Sequence, residues 1–170
     1  MKKFLLVLII ALSVIVVPIG KSSAAGKNPY GTLEVDPAGP NEIIFTISKG
    51  LKKADFAYLR LLKMKSVEIT INEPFIKKRQ TFTAIPISKL FALVGISDSD
   101  LVTTTALNDY VFKDRAKNFL KASAYLAIKK NGKAIGYDEG GPIRLIYSNS
   151  SPWANYLDSW NWSLASISVK

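Results

Sequence analysis

The sequence predicts a single α+β domain built around a mixed, strongly twisted sheet. The chain has 170 residues, of which 48% are hydrophobic and 11% aromatic, and this suits one globular domain with its own core. Short runs rich in β-branched and aromatic residues outnumber two or three short helical patterns. The sequence contains no internal repeat and no low-complexity segment. These observations together favour strands and short helices packed in one domain.

Residues 1–25 have the three parts of a secretory signal peptide. Two lysines precede an almost unbroken apolar run at 4–17, and Ser23 and Ala25 are the small residues expected before a cleavage site. A membrane helix needs about 20 apolar residues, so an uncleaved anchor is the lesser alternative. The lysines also differ from the twin arginines of folded-protein export. We therefore predict a Sec-type signal peptide, one mature domain at 26–170, and a periplasmic or secreted location.

The first half of the mature chain alternates predicted strands with short helices. Residues 26–42 are rich in Pro and Gly and predict an extended segment with one edge strand at 32–35. The next predicted elements are a strand at 42–48, a helix of about ten residues from Leu51 based on the apolar spacing, a strand at 67–71, a basic turn at 74–79, a strand at 81–85 and a helix at 89–94. Ser88 is expected to cap this last helix, and Gly95 is expected to end it in the left-handed conformation.

The second half is predicted to be mostly strand. The predicted elements are a strand at 102–107, one or two helical turns within 114–122, and strands at 125–128, 143–147 and 162–169. Asn131-Gly132 is a strong signal for a tight turn, so a hairpin is expected there. The Gly140-Gly141-Pro142 string interrupts the chain before the strand that carries Arg144.

The composition excludes much of enzyme chemistry. The chain contains no Cys and no His, which removes disulfides, thiolate ligands, a Cys nucleophile, and the commonest metal ligand and general base. No G-x-S-x-G motif and no EF-hand-like acidic loop is present. We therefore expect a binding protein and not an enzyme.

The charge is strongly basic, with 23 Lys and Arg against 13 Asp and Glu and a net charge of +10. Removal of residues 1–25, which carry three lysines and no acid, would leave +7. The lysines and arginines occur in short clusters, which suit solvated loops and helix faces. Alternatively, they attract an anionic membrane surface, an acidic partner or an anionic small molecule. No nucleic-acid-binding motif accompanies them, so nucleic acid is not an expected partner.

The most distinctive string runs from Thr105 to Tyr110, where a predicted strand leads into an amide, a carboxylate and a phenol. Asn108 and Asp109 offer donors and acceptors that match the edge of a polar heterocycle. The alternative is an ordinary turn, in which the Asn and Asp side chains bond their own backbone. The residue types alone leave both interpretations open.

Aromatic residues concentrate near the C-terminus. Trp153, Trp160 and Trp162 are the only tryptophans, and their rings either stack on a planar ligand or fill the core. Arg144 alternates with apolar residues, so it either points to water or reaches into a polar site as a planar fork. Tyr137 precedes the glycines and is a further candidate for the rim of such a site.

Several strings along residues 42–170 together resemble one family of proteins. These strings are Ser66–Thr70, Asn72–Phe75, Phe82–Leu93, Thr105–Tyr110, Asn131–Lys133, Gly141–Tyr147 and Trp160–Val169. They resemble small exported domains classed with the molybdopterin-binding domain of sulfite oxidases. The resemblance implies a mixed-sheet α+β fold like that domain, with a ligand cleft lined by loops.

The resemblance also implies a class of ligand. Sulfite oxidases hold molybdenum through a pterin dithiolene and one protein Cys, whereas this chain has no Cys, so we expect a bound pterin without molybdenum. Some small, Cys-lacking relatives are periplasmic pterin-binding proteins that report to membrane-bound enzymes of cyclic-di-GMP turnover. By this resemblance, Asn108 and Asp109 would read the pterin edge, Trp153 or Trp160 would stack on the ring, and Arg144 and Tyr110 would position the pterin side chain or the loops.

Two other functions remain open at this point. The first is a molybdopterin-dependent oxidoreductase, which would carry stoichiometric molybdenum. The second is an interaction module that has kept the fold and lost the ligand, and that docks on an acidic membrane partner through its basic surface.

Overall fold

The computed structural model describes residues 38–170, so the predicted signal peptide and the predicted edge strand at 32–35 lie outside the described residues. The described chain forms nine strands and three short helices. In chain order they are β1 (Ile43–Lys49), β2 (Lys52–Ala57), α1 (Tyr58–Leu62), β3 (Val67–Glu73), β4 (Lys78–Pro86), α2 (Ile87–Val94), β5 (Leu101–Ala106), β6 (Val111–Arg115), α3 (Ala116–Lys121), β7 (Ala124–Lys130), β8 (Arg144–Tyr147) and β9 (Leu164–Val169). None of the helices within 38–170 is long and apolar enough to cross a membrane.

The strands form two sheets where the sequence predicted one. The larger sheet has the order β2-β1-β9-β5-β6, in which β1 and β9 run parallel and the other neighbours antiparallel. The smaller sheet, β3-β4-β7-β8, is antiparallel throughout. The predicted α+β class with a mixed sheet is therefore confirmed for the larger sheet, and the second sheet is an addition to it.

One apolar core joins the two sheets. Phe45 and Ile47 of β1, Phe82 of β4 and Leu126 of β7 are all buried in the same cluster. Helix α2 connects the sheets along the chain and buries one face in that cluster, at Ile87, Leu90, Phe91 and Val94. Burial of these side chains is the main term that holds the sheets together.

The predicted helix from Leu51 is wrong over most of its length. Residues Lys52–Ala57 form β2, which pairs with β1 in a hairpin that places Thr46 opposite Asp55, and helix α1 spans only Tyr58–Leu62. The hydroxyl of Thr46 donates to the Asp55 carboxylate at 2.6 Å. Strand pairing and the burial of Phe56 override the local helical spacing, because propensity is a weak signal beside tertiary contacts.

Other boundaries also differ from the prediction, as β4 and α2 show. Strand β4 begins at Lys78, so the last two residues of the predicted basic turn lie in the strand. Helix α2 begins at Ile87 with Pro86 in the N-cap position and no side-chain cap, so the predicted cap at Ser88 is wrong. Gly95 ends the helix with φ 74°, as predicted.

Strand β6 was not predicted, although its sequence alternates. Phe112 is buried between the exposed residues Val111 and Lys113, and the strand forms one edge of the larger sheet.

The predicted tight turn is confirmed, with φ 49° at Asn131 and φ 77° at Gly132. The second arm of that hairpin is a single bridge between Lys130 and Lys133.

Candidate functional site

A cleft of about 270 Å³ opens between the β5–β6 turn and the segment that leads into β9. Its walls are mostly apolar, with four aromatic residues, and both the β5–β6 turn and the segment that leads into β9 contribute polar residues. The lining residues are Phe75, Ala106, Asn108, Tyr110, Leu157, Asp158, Trp160, Trp162 and Ser163. A concave, largely apolar cleft with a small number of polar groups is typical of a small-molecule site.

One wall of the cleft is a tight turn that joins β5 to β6. The backbone N–H of Ala106 donates to Tyr110 O at 2.9 Å, and the N–H of Asp109 donates to Ala106 O at 3.1 Å. Asp109 has φ 63°, a left-handed conformation that Asn and Asp tolerate better than most residues. Asn108 Oδ1 accepts the Tyr110 N–H at 3.3 Å, so the turn interpretation holds for this residue. The bond to Tyr110 does not use the two donor hydrogens of the Asn108 amide nitrogen, and Asn108 lines the cleft.

Tyr110 joins the two walls of the cleft. Its hydroxyl donates to the backbone carbonyl of Asp158 at 2.9 Å, across 48 positions of the sequence. Partial burial raises the pKa of the Tyr110 phenol, and the negative charge of Asp158 adds to the rise. The phenol is therefore a neutral donor at ordinary pH.

The aromatic wall is fixed by edge-to-face contacts. Trp160 is 4% exposed, and its Nε1 donates to Trp153 O at 3.1 Å. Phe75 meets Trp160 and Trp162 edge-on, with ring centroids 6.1 and 4.8 Å apart. Such pairs contribute beyond their buried area and limit ring rotation, so the wall is preformed. Trp162 is the more accessible of the two indoles.

A buried ion pair lies behind this wall. Arg144 Nη2 is 2.7 Å from Glu73 Oε1, and both residues are 2% exposed. Glu73 Oε2 accepts the backbone N–H groups of Phe75 and Ile76, which shapes the β3–β4 loop. The Arg144 guanidinium carbon lies 3.9 Å from the centroid of the Trp162 ring. Arg144 thus points inward, where it supports the cleft wall from behind.

Gly140 fixes the position of Trp162 from another side. It has φ 80°, and a Cβ built on it would lie 2.5 Å from Trp162 Cδ2. Its carbonyl accepts the Ser163 N–H at 2.7 Å, which ties the glycine to the cleft-lining segment. Only glycine accommodates both the backbone conformation and this close approach.

We expect Gly140→Ala to destabilise the protein and to change the environment of Trp162, because the added methyl group collides with the indole. Gly132→Ala is the matched control, since Gly132 has φ 77° but open space around it. Urea unfolding and tryptophan fluorescence measure both effects. The prediction fails if the two alanine variants lose equal stability and both keep the wild-type emission spectrum.

Four of the eight predicted site residues meet at the cleft, namely Asn108, Tyr110, Trp160 and Trp162. The other four lie elsewhere. Asp109 is an exposed residue of the β5–β6 turn, and Arg144 is behind the wall. Trp153 is partly buried and packs against the core residues Phe112, Phe119 and Tyr147. Tyr137 lines a second cavity of about 200 Å³. Leu107, in the same turn as Asn108, also lines the second cavity.

Sequence reasoning missed several lining residues, of which Phe75 and Asp158 matter most. Phe75 enters from the β3–β4 loop, far along the chain, and only the packing of the two sheets brings it to the tryptophans. Asp158 lies in a loop rich in aromatic residues, and an acidic residue in such a loop was the one signal that could have identified it. Within residues 38–170, no three acidic side chains converge in a way that could hold a metal ion.

The architecture is a mixed α+β domain whose fold is sulfite-oxidase-like. One solved structure with this likeness is the sulfane dehydrogenase SoxCD from Paracoccus pantotrophus, at a TM-score of 0.61 and 14% sequence identity. The match covers 79% of this chain and 39% of that chain, so this chain corresponds to well under half of the larger protein. No family model and no curated protein sequence matches the chain. At this identity the likeness concerns the fold alone.

Proposed function

We propose that this protein binds a small planar heterocycle of the pterin class in the cleft, and that it serves as a ligand-binding component and not as a catalyst. The observation that carries the proposal is the meeting of the Asn108–Tyr110 turn with the indoles of Trp160 and Trp162 in one cleft. An aromatic wall offers stacking, and an adjacent polar edge offers directional hydrogen bonds.

The dimensions and chemistry of the cleft suit such a ligand. Its 270 Å³ lies just below the range of about 300 to 1,000 Å³ that is usual for drug-sized ligands, so it favours a bicyclic ring with a short substituent. A pterin ring is flat and rich in donors and acceptors along one edge. Asn108 supplies amide hydrogens, and Asp158 supplies acceptor oxygens for the N–H groups of that edge.

Molybdenum does not fit the donor set of this chain. In sulfite oxidases, which the sequence resembles, one protein Cys ligates the metal, and this chain has no Cys. The oxidoreductase hypothesis therefore has no residue for that role, and we derive no reaction from it. The pterin part of the resemblance keeps its support, because it needs only the aromatic wall and the polar turn.

We further propose that the ligand-bound protein acts outside the cytoplasm on a membrane-bound signalling protein, of the kind involved in cyclic-di-GMP turnover. The signal-peptide pattern supports the location. Exposed apolar side chains on the chain segments that flank the cleft support a partner: these rim residues are Leu107, Tyr110, Val111, Tyr156 and Leu157, each 42 to 46% exposed. A partner that contacts the rim would touch the same two loops that hold the ligand.

The test is a calorimetric titration of the mature protein with tetrahydrobiopterin as a reduced-pterin probe, together with mass spectrometry of any small molecule that co-purifies with the protein from its own cells. We expect saturable binding of one pterin per chain. No binding at concentrations up to about 1 mM, which corresponds to only about −4.1 kcal/mol, would contradict the proposal.

The rim residues also favour the second candidate function, an interaction module without a ligand. This function predicts salt-sensitive binding to an acidic membrane partner that pterins do not affect. Loss of partner binding in Asn108→Ala would favour the pterin-dependent function instead, because Asn108 lies inside the cleft mouth and not among the rim residues.

A further inference from the structure

We infer that the cleft selects its ligand by charge: it accepts a neutral or cationic ring and excludes a ring that carries a phosphate or carboxylate group. This inference rests on the proposed function and specifies the class of pterin that the site takes. The protein as a whole is basic, so a preference for anionic ligands would be the first expectation.

The charge of the cleft lining disfavours an anionic ligand. Among residues 38–170, nine line the cleft, and these include one carboxylate, Asp158, and neither a lysine nor an arginine. The backbone carbonyl of Asp158 accepts the Tyr110 hydroxyl at 2.9 Å, which fixes Asp158 beside another lining residue. An anionic group on a ligand would therefore face repulsion and no compensating cation in this lining.

The nearest buried cation is already held in an ion pair. Arg144 is the residue that could offer a bidentate fork to a phosphate. Its Nη2 instead bonds Glu73 at 2.7 Å, and its Nη1 donates to the Glu139 carbonyl at 3.0 Å. The cation is 2% exposed behind Trp162, so its charge is balanced by Glu73 before any ligand arrives.

The aromatic wall also disfavours an anionic ligand. The faces of Trp, Tyr and Phe rings carry negative potential, which attracts cations and repels anions. Phe75, Tyr110, Trp160 and Trp162 all contribute to the lining. The aromatic wall and the Asp158 carboxylate therefore both disfavour an anionic ligand, and both favour a ligand whose ring edge presents N–H donors.

The experiment compares two pterins that share a ring and differ in charge. At pH 7, 6-hydroxymethylpterin is neutral and pterin-6-carboxylate is an anion, and both are titrated calorimetrically into the wild-type protein. We expect the neutral pterin to bind about five- to tenfold more tightly, as suits like charges a few ångströms apart in a partly wet site. Asp158→Asn should narrow this ratio by strengthening the binding of the carboxylate, and it keeps the backbone carbonyl that holds Tyr110.

Asp98→Asn is the matched control, because it removes an exposed carboxylate outside the cleft lining and should leave the ratio unchanged. Equal or tighter binding of the carboxylate to wild-type protein would overturn the inference and leave the proposed function standing. An unchanged ratio in Asp158→Asn would also overturn it. Failure of both pterins to bind would instead overturn the proposed function.

Discussion

Replacement of Arg144 by methionine is expected to lower the free energy of unfolding by about 3 to 5 kcal/mol, the cost usually found when one partner of a buried ion pair is removed. The substitution leaves the Glu73 carboxylate buried, with its Oε1 deprived of the 2.7 Å contact to Arg144. It also removes the guanidinium that lies 3.9 Å from Trp162. We therefore expect a large loss of stability together with a changed tryptophan spectrum.

Urea unfolding measures the loss, and Lys53→Met is the control, because Lys53 pairs with Asp55 at the surface and its removal should change little. The double variant Glu73→Gln/Arg144→Met should recover part of the stability, since the neutral amide removes the buried charge while its oxygen can still accept the loop N–H groups. Wild-type stability in Arg144→Met would contradict the role given to this pair.

Replacement of Trp162 by leucine is expected to weaken binding of tetrahydrobiopterin roughly 5- to 150-fold. A stacking contact between a ring and an aromatic side chain contributes about 1 to 3 kcal/mol, and each 1.4 kcal/mol is a factor of ten in affinity. Leucine keeps apolar bulk against Phe75 but offers no aromatic face. Calorimetric titration gives the change, and circular dichroism establishes that the variant is folded.

Trp153→Phe is the control for this experiment, because Trp153 packs against Phe112 and Phe119 and is not in the cleft lining. It should bind the pterin as the wild-type protein does. The pterin assignment loses its stacking wall if Trp160→Leu and Trp162→Leu both retain wild-type affinity.

Local patterns predicted those elements whose sequences carry their own boundaries. Strand β3 alternates apolar and polar residues, and the Asn131-Gly132 turn needs two positive φ angles that this pair supplies. The helix predicted from Leu51 failed because β2 is stabilised by pairing with β1, a contact that helical spacing does not reveal. Sequence periodicity was reliable where one element sets its own structure, and unreliable where a neighbouring strand does.

The same distinction applies to the site. Asn108 and Tyr110 were predictable because three polar residues in a row cannot all enter a core, and the structure brings both to the cleft. Which tryptophan faces the cleft depends on what packs around it: Trp153 packs against Phe112 and Phe119, whereas Trp162 packs against Phe75 and lines the cleft. The partners of Trp153 come from β6 and α3, so no spacing within the C-terminal loop could have identified the ring that lines the cleft.

The β5–β6 turn contributes to the walls of both the ligand cleft and the second cavity. Asn108 lines the cleft while its neighbour Leu107 lines the second cavity beside Tyr137, and the Leu107 N–H donates to the carbonyl of Ser163, which also lines the cleft. A ligand that shifts Asn108 is therefore expected to shift Leu107 as well, because the two residues are adjacent in one tight turn, and so to change the shape of the second cavity.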